Sequence, residues 1–383
     1  MTAHVSDRVS EYLDAIRRLG PLVVEHRAAF DRERRLPDCI FDALASAGLF
    51  RLWLPKALGG PELSPLEFMT IVEAAAALDG SIGWIAGNGA GMSRIGGYLP
   101  GQAARAWFAE PGAFVTSATG AVGEAVPVEG GYRVSGRWPF GSGAHHATVF
   151  MGLAAPTTSD DPSPLCCYMG REAVAIEDTW NVSGLRGTGS CHFEARDTFV
   201  PAAQTHRFTT YTPSHPGLLY RMPALSTFAW TVSVVPLGIA RGAINAFVEL
   251  AGSKSRLGTA TALRDRETVQ ATVGRVEALH RAARAFLVDA MTELMVATDI
   301  GGEQLVRTRA MFRGACAHAA ESAVRIVNML AADAGAVAIF ESCVLERAMR
   351  DVNAAVRHIA MSPNSYIVVG RLALGLDPVT ARF

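Results

Sequence analysis

The 383-residue sequence contains no C-x-x-C pair. Its six cysteines, Cys39, Cys166, Cys167, Cys191, Cys316 and Cys343, and its ten histidines fall into no zinc-type spacing. This argues against a metal centre and for reduced, buried thiols in a cytoplasmic protein. No long basic run is present, the net charge is −1 and the pI is near 6.8. Nucleic acid and anionic membranes therefore have no electrostatic case as partners. The first residues, MTAHVSDRVSEYLDAIRR, lack an apolar core segment and a cleavage site, so no secretory signal is expected. No G-x-G-x-x-G follows a strand-like run, which is consistent with a reductant supplied by a partner. Residues 223–240 lack charge and are borderline in length for a membrane span. They contain Pro223, Ser226, Thr227, Thr231, Ser233 and Pro236, and read instead as a buried helix at the centre of a soluble bundle.

What is present is apolar residue in quantity. At 50% hydrophobic content, a chain of this length can bury a large core. Residues 1–110 read as helical. Val9, Leu13, Ile16 and Leu19 recur every three or four positions, Gly20-Pro21 predicts a break, and further helices are expected over 37–48 and 64–77. Residues 111–222 turn to short β-type runs at 114–117, 132–138, 148–153, 166–169 and 191–193, divided by turn clusters. That pattern suggests a small antiparallel barrel or sandwich. Residues 223–383 return to helix, with long apolar stripes from Val269 to Leu294 and from Leu305 to Leu330, and breaks at Gly301-Gly302 and Gly335. An antiparallel four-helix bundle follows from that spacing. The expected division is thus 1–110, 111–222 and 223–383.

Three stretches carry candidate chemistry. Residues 131–146, GYRVSGRWPFGSGAHH, read as a strand, a tight turn and a second strand. Trp138 and Phe140 flank Pro139, and Gly141 and Gly143 flank Ser142, so backbone can approach a flat ligand there. Of the adjacent His145 and His146, at most one faces such a site. Residues 184–190, GLRGTGS, bring Arg186, the Thr188 and Ser190 hydroxyls and several backbone amides. Residues 345–361, LERAMRDVNAAVRHIAM, carry Arg347, Arg350, Asp351 and His358. Asp351 with either arginine reads as a helix ion pair worth about 0.5 kcal/mol on a surface. His358 falls two turns further along roughly the same face. Trp84, Asn88 and Ser93, in a glycine- and alanine-rich run, are candidates to line a pocket.

In this order and at these separations, GGYRVSGRWPFGSG, DTWNVSGLRGTGS and RAMRD…RH resemble the acyl-CoA dehydrogenase superfamily. More narrowly the chain resembles the flavin-dependent monooxygenases of two-component systems, over about residues 18 to 376. The resemblance implies an α+β, mostly α fold: an N-terminal helical domain, a middle β-barrel and a C-terminal four-helix bundle that assembles into a homotetramer. It implies FADH2 or FMNH2 delivered by an NAD(P)H-dependent flavin reductase, O2, and oxygen transfer through a flavin C4a-hydroperoxide to an aromatic or heteroaromatic small molecule. No metal is implied.

On that reading Ser142 and His358 are the catalytic candidates. Ser142 would sit near flavin N5, and His358 would act as acid/base or hold a substrate hydroxyl or ring nitrogen. Trp138, Phe140, Ser142, Arg186, Thr188, Ser190, Arg256 and Gly335 would meet the cofactor, with Arg256 on a phosphate across a subunit boundary. Trp84, Asn88 and His358 would line the substrate pocket. The dehydrogenase branch is the first alternative, but His358 and Ile359 stand where one subclass has its catalytic glutamate, leaving Glu249 as a substitute base. An N-hydroxylase of an amino sugar and a catalytically silent assembly module are the remaining alternatives.

Overall fold

A computed structural model describes residues 7–158, 161, 163–210, 212–253 and 262–378. The chain groups into two compact units. The first comprises Met1–Phe68, Trp84–Val182 and Arg186–Thr227, and the second Met69–Gly83, Ser183–Leu185 and Phe228–Phe383.

In the first unit the helix Asp7–Glu33 runs unbroken through Gly20 and Pro21, where the sequence predicts a break. Proline inside a helix costs about 3 kcal/mol through a lost hydrogen bond and a clash. Buried Val9, Ile16, Val23 and Phe30 continue one stripe on both sides of it, so packing outweighs the local cost. Ser64 and Glu67 form a reciprocal cap on the helix Pro65–Leu78, each side chain accepting from the other's backbone amide at 2.9 and 3.3 Å.

Among the described residues seven strands follow: β1 (Val115–Val128), β2 (Gly131–Gly141), β3 (Val149–Pro156), β4 (Leu165–Gly170), β5 (Ala175–Glu177), β6 (Cys191–Pro201) and β7 (Thr205–Arg207). Their order is β5-β6-β2-β1-β3-β4-β7. An antiparallel barrel or sandwich is expected here; the sheet is instead mixed, because β1 pairs antiparallel with β2 on one side and parallel with β3 on the other. The hairpin turn lies at Gly130 (φ +77°), between β1 and β2, rather than inside residues 131–146.

Trp138 is the centre of the sheet's core. It is fully buried, its indole N–H donates to the Leu153 carbonyl at 2.8 Å, and its ring stacks on Phe193 at 5.3 Å. Gly123, Gly136 and Gly152 surround the indole so closely that a Cβ on any of them would lie 2.5–2.9 Å from it. A residue so enclosed has no surface left for a cofactor, which corrects the expectation that Trp138 meets one.

In the second unit the helices Val235–Ser253, Glu267–Ile300, Gly302–Ala334 and Val344–Ala355 pack as the expected bundle. Gly301 (φ +75°) and Gly335 (φ +68°) end the two long helices in the left-handed backbone that glycine tolerates. Gly238 and Gly242 let the helix Val235–Ser253 approach residues 73–77, where a Cβ would lie 2.4–2.5 Å from backbone oxygens. Arg241 is held bidentately by Glu277 at 2.8 and 3.0 Å and also reaches His280 Nδ1 at 3.1 Å. Two helical stretches, Ala224–Ser253 and Gly302–Ile339, have the length and composition of a membrane span. The apolar window of the first is 72% buried in the protein, as befits a core helix.

The indole enclosure is testable. Gly152→Ala should destabilise the protein by about 1–3 kcal/mol through overpacking against Trp138, read as a lowered denaturation midpoint with the slope unchanged. An unchanged midpoint would mean that the ring has room to move.

Candidate active site

Where β2 ends at Gly141, the chain must cross to the far edge of β1 to begin β3, and Ser142 is the first residue of that crossing. The crossing is clamped from both ends. Thr116 Oγ1 donates to the Ser142 carbonyl at 2.8 Å, and the Gly143 amide donates to the Thr188 carbonyl at 2.8 Å. Gly143 has φ +75°, and a Cβ there would lie 2.7 Å from the Phe114 ring. Both observations require glycine.

The clamp brings together residues that the sequence places far apart. The Trp84 indole N–H donates to Ser142 Oγ at 3.0 Å. Ser142 Oγ lies 2.9 Å from Ser190 Oγ, which lies 2.7 Å from Thr188 Oγ1. All four residues are at least nine-tenths buried. An indole can only donate, so one Ser142 lone pair is committed to Trp84. The three hydroxyls can point their hydrogens in either direction along the chain, leaving Ser142 able to donate or accept at its remaining position.

The other candidates of this unit divide. Asn88 donates to the Trp84 carbonyl one turn back at 2.8 Å and is half-buried. Phe140 is 62% exposed at φ +66° and meets Trp180 edge-on at 6.4 Å. Arg186 is half-buried, and its Nε donates to the Val182 carbonyl at 2.8 Å. His146 stacks on Phe41 at 4.2 Å, with Nε2 2.9 Å from the Leu36 carbonyl, and so has a structural partner. His145 is exposed, with Nε2 3.5 Å from Cys191 Sγ.

In the second unit, Asp351 departs from its expected role as a surface ion pair. It is 2% exposed. Its Oδ1 accepts the Leu185 amide at 2.7 Å, and Leu185 itself holds φ +53°. Gly184 meets the helix so closely that a Cβ would lie 2.1 Å from the Arg350 carbonyl. Arg350 pairs with Glu346 at 2.7 Å, while Arg347 faces Asp79, 3.6 Å away. Asp79 is a second buried acid that sequence reasoning missed. The break between the helices ending at Leu78 and starting at Gly80 was its only signal. Desolvation and the Asp79 charge push the Asp351 carboxyl up to about 7.

His358 also departs from expectation. The helix ends at Ala355, so His358 lies beyond it rather than on its face, in extended backbone ahead of the short turn Ile359–Met361. Its Nδ1 accepts the Ala360 amide at 3.1 Å. Although solvent reaches the side chain, the surrounding protein and then the Arg313 charge hold the imidazole down, at about 4. Gly335 is exposed, and a Cβ built on it would meet nothing within 4 Å. Gln270 donates to the Arg264 carbonyl at 3.1 Å, and Glu249 is exposed. Arg256 lies outside the described residues.

A helical N-terminal segment, a mixed sheet and a C-terminal helical bundle, in this order, define an acyl-CoA dehydrogenase-like fold. The acyl-CoA dehydrogenase N-terminal domain family matches residues 7–98, and the acyl-CoA dehydrogenase C-terminal domain family matches residues 230–363. The oxygenase component of the FADH2-dependent resorcinol hydroxylase of a Rhizobium species is 30% identical, over 91% of this chain and 90% of its own. Indole-3-acetate monooxygenase of Pseudomonas putida is 29% identical, over 91% and 90%. The structure of XiaF from a Streptomyces species in complex with FADH2 and glycerol superposes with a TM-score of 0.89 at 27% identity, over 100% of this chain and 99% of that one. The chain belongs to the acyl-CoA dehydrogenase superfamily, among its flavin-dependent monooxygenase oxygenase components.

The buried carboxyl gives a prediction with a definite sign. Between the ordinary carboxyl value of 3.8 and about 7, the folded protein holds a proton on Asp351 that the unfolded chain releases. Stability therefore falls as pH rises through that window, by up to about 1.4 kcal/mol per pH unit. Asp351→Asn keeps the acceptor for Leu185 and cannot ionise. Its melting temperature should fall less than that of the wild type between pH 5 and pH 7. A variant that is already unstable at pH 5 would show instead that Asp351 works as an anion.

Proposed function

We propose that the protein is the oxygenase component of a two-component monooxygenase that hydroxylates an aromatic or heteroaromatic small molecule in the cytoplasm. Reduced flavin, FADH2 or FMNH2 from a separate NAD(P)H-dependent reductase, together with O2 supplies the transferable oxygen. The observation that carries this reading is the Trp84–Ser142–Ser190–Thr188 chain on a glycine-flanked crossing.

That donor set fits a flavin. The ring nitrogen N5 carries a hydrogen when the flavin is reduced and is a bare acceptor when it is oxidised. A hydroxyl can answer both, and the reversible chain behind Ser142 lets it turn from donor to acceptor. Phe140, Arg186 and Gly335 remain candidates for the rest of the cofactor, and Trp84 and Asn88 for the pocket beside it. His358 would hold the substrate. Water must be kept from such a site, because stray protons divert oxygen to hydrogen peroxide.

Exposed Ile339, Phe340 and Leu374 on the C-terminal helical segment support a homotetramer, in which Arg256 would reach a neighbour's flavin. Light scattering should give the mass of four chains; a fully active monomer would remove this part of the reading. The dehydrogenase alternative is disfavoured, because Glu249 is exposed on its helix and no carboxylate stands at 358 or 359.

Ser142→Ala tests the central claim. The lost hydrogen bond is worth about 1–3 kcal/mol, and about 1.4 kcal/mol is a factor of ten in rate. With reduced flavin, oxygen and a turned-over phenol, the ratio of hydrogen peroxide to product should rise about tenfold or more. An unchanged ratio would place the reacting flavin edge elsewhere.

A further inference from the structure

The helix Gly302–Ala334 is rich in alanine and small residues, yet it buries an arginine. Arg313 is 6% exposed. Its Nη2 donates to the Ile359 carbonyl at 2.7 Å, and its Nε has no hydrogen-bond partner among the described residues. The residues three and four positions away are Arg309, Ala310, Cys316 and Ala317, so its own helix offers no carboxylate within a turn. Burying a guanidinium without a counter-charge is costly, and desolvation holds its pKa below the ordinary arginine value. Such a group calls for a reason.

The reason lies in the segment it holds. Ile359 directly follows His358 and opens the turn Ile359–Met361. The Arg313 bond fixes that carbonyl, and the same turn directs the Ala360 amide at His358 Nδ1 at 3.1 Å. An amide hydrogen aimed at Nδ1 requires that nitrogen to be unprotonated, so a neutral ring carries its hydrogen on Nε2. The surrounding protein, and after it the Arg313 charge, opposes a second proton. From the packed helix, the Arg313 charge acts on the ring; on the ring's own segment, Arg357 is exposed.

We propose that Arg313 is a positioning residue that locks His358 as an uncharged imidazole with its hydrogen on Nε2. Resting on the monooxygenase reading, this makes His358 a hydrogen-bond donor to the substrate rather than a base. It suits an acceptor such as a phenol, phenolate or carbonyl oxygen, and not a ring N–H. The expectation that His358 serves equally as acid, base or binder narrows to binder. Arg313 had a signal in the sequence: an arginine on a small-residue helix with no acid within a turn in either direction.

The test needs no flavin and no turnover. Long-range 1H–15N spectra of histidine rings in the flavin-free protein, with His358 identified by the signals lost in His358→Gln, report tautomer and charge directly. In the wild type, His358 should stay neutral with its hydrogen on Nε2 from pH 8 down to pH 5. In a folded Arg313→Met its titration should move to higher pH and its single tautomer should be lost. Arg313→Lys, which keeps a cation, should restore the neutral ring. A wild-type His358 that is protonated at pH 6, or that carries its hydrogen on Nδ1, overturns the proposal even if Arg313→Met does not fold. A ring unchanged in a folded Arg313→Met overturns it as well. Failure of the monooxygenase reading would appear separately, as absence of hydroxylated product with the ring state as described.

Discussion

The parallel pairing of β1 with β3 is the constraint on which the candidate cofactor edge depends. A strand that follows β2 in sequence but lies on the opposite side of β1 cannot be reached by a tight turn. The chain has to leave the sheet at Gly141 and cross over, and the start of that crossing is where Ser142 is presented. Backbone polar groups on a buried crossing must be satisfied by something other than a ladder. Thr116 and the Thr188 carbonyl do this, and in doing so they bring residues 186–190 against Ser142. The hydroxyl chain follows from the sheet's topology together with the need to pair buried polar atoms.

Much of this was legible in the sequence, and the failures are instructive. The helical ends and the β-rich middle follow from periodicity, and the capping box at Ser64 and Glu67 from local pattern. Long-range events do not show in that way. Whether β3 pairs with β2 or with β1 is decided by register across the whole sheet, so an antiparallel barrel was expected where a mixed sheet forms. Pro21 reads as a helix breaker because its cost is local, whereas the stripe of Val9, Ile16, Val23 and Phe30 that overrides it pays off only on packing. Trp138 looked like a cofactor contact because aromatic-plus-glycine is the same signal for a flat ligand and for a tightly enclosed indole. The resemblance set Ser142, Thr188 and Ser190 at one cofactor, but nothing in the sequence showed their hydrogen bonds to one another or to Trp84.

The second unit shows a similar ambiguity with charge. An Arg-x-x-x-Asp spacing on a helix reads as a surface pair, yet Arg347 and Asp351 are both buried: Arg347 also faces Asp79, and Asp351 accepts the Leu185 amide while the Arg347 and Arg350 charges act on it. Spacing defines which residues share a helix face; it does not say whether that face meets water. Once the face is buried, a hydrogen bond to a strained backbone residue such as Leu185 satisfies a carboxyl oxygen whether or not the group is charged.

Desolvation also accounts for the ionisation pattern around the candidate residues. It moves Asp351 up and His358 down, so both move toward the uncharged form from opposite sides. Arg313 keeps its charge at the expense of a low-dielectric position, and the structure uses that charge to hold the histidine neutral. A histidine near its ordinary value would exchange protons with solvent at neutral pH, and stray protons are what turn oxygen transfer into peroxide release. An uncharged imidazole with a fixed tautomer offers a directed hydrogen bond without a mobile proton. On this argument, the cost of burying Arg313 is offset in function rather than in stability, since the same fold with a neutral residue at 313 would be easier to bury and less able to keep His358 from titrating.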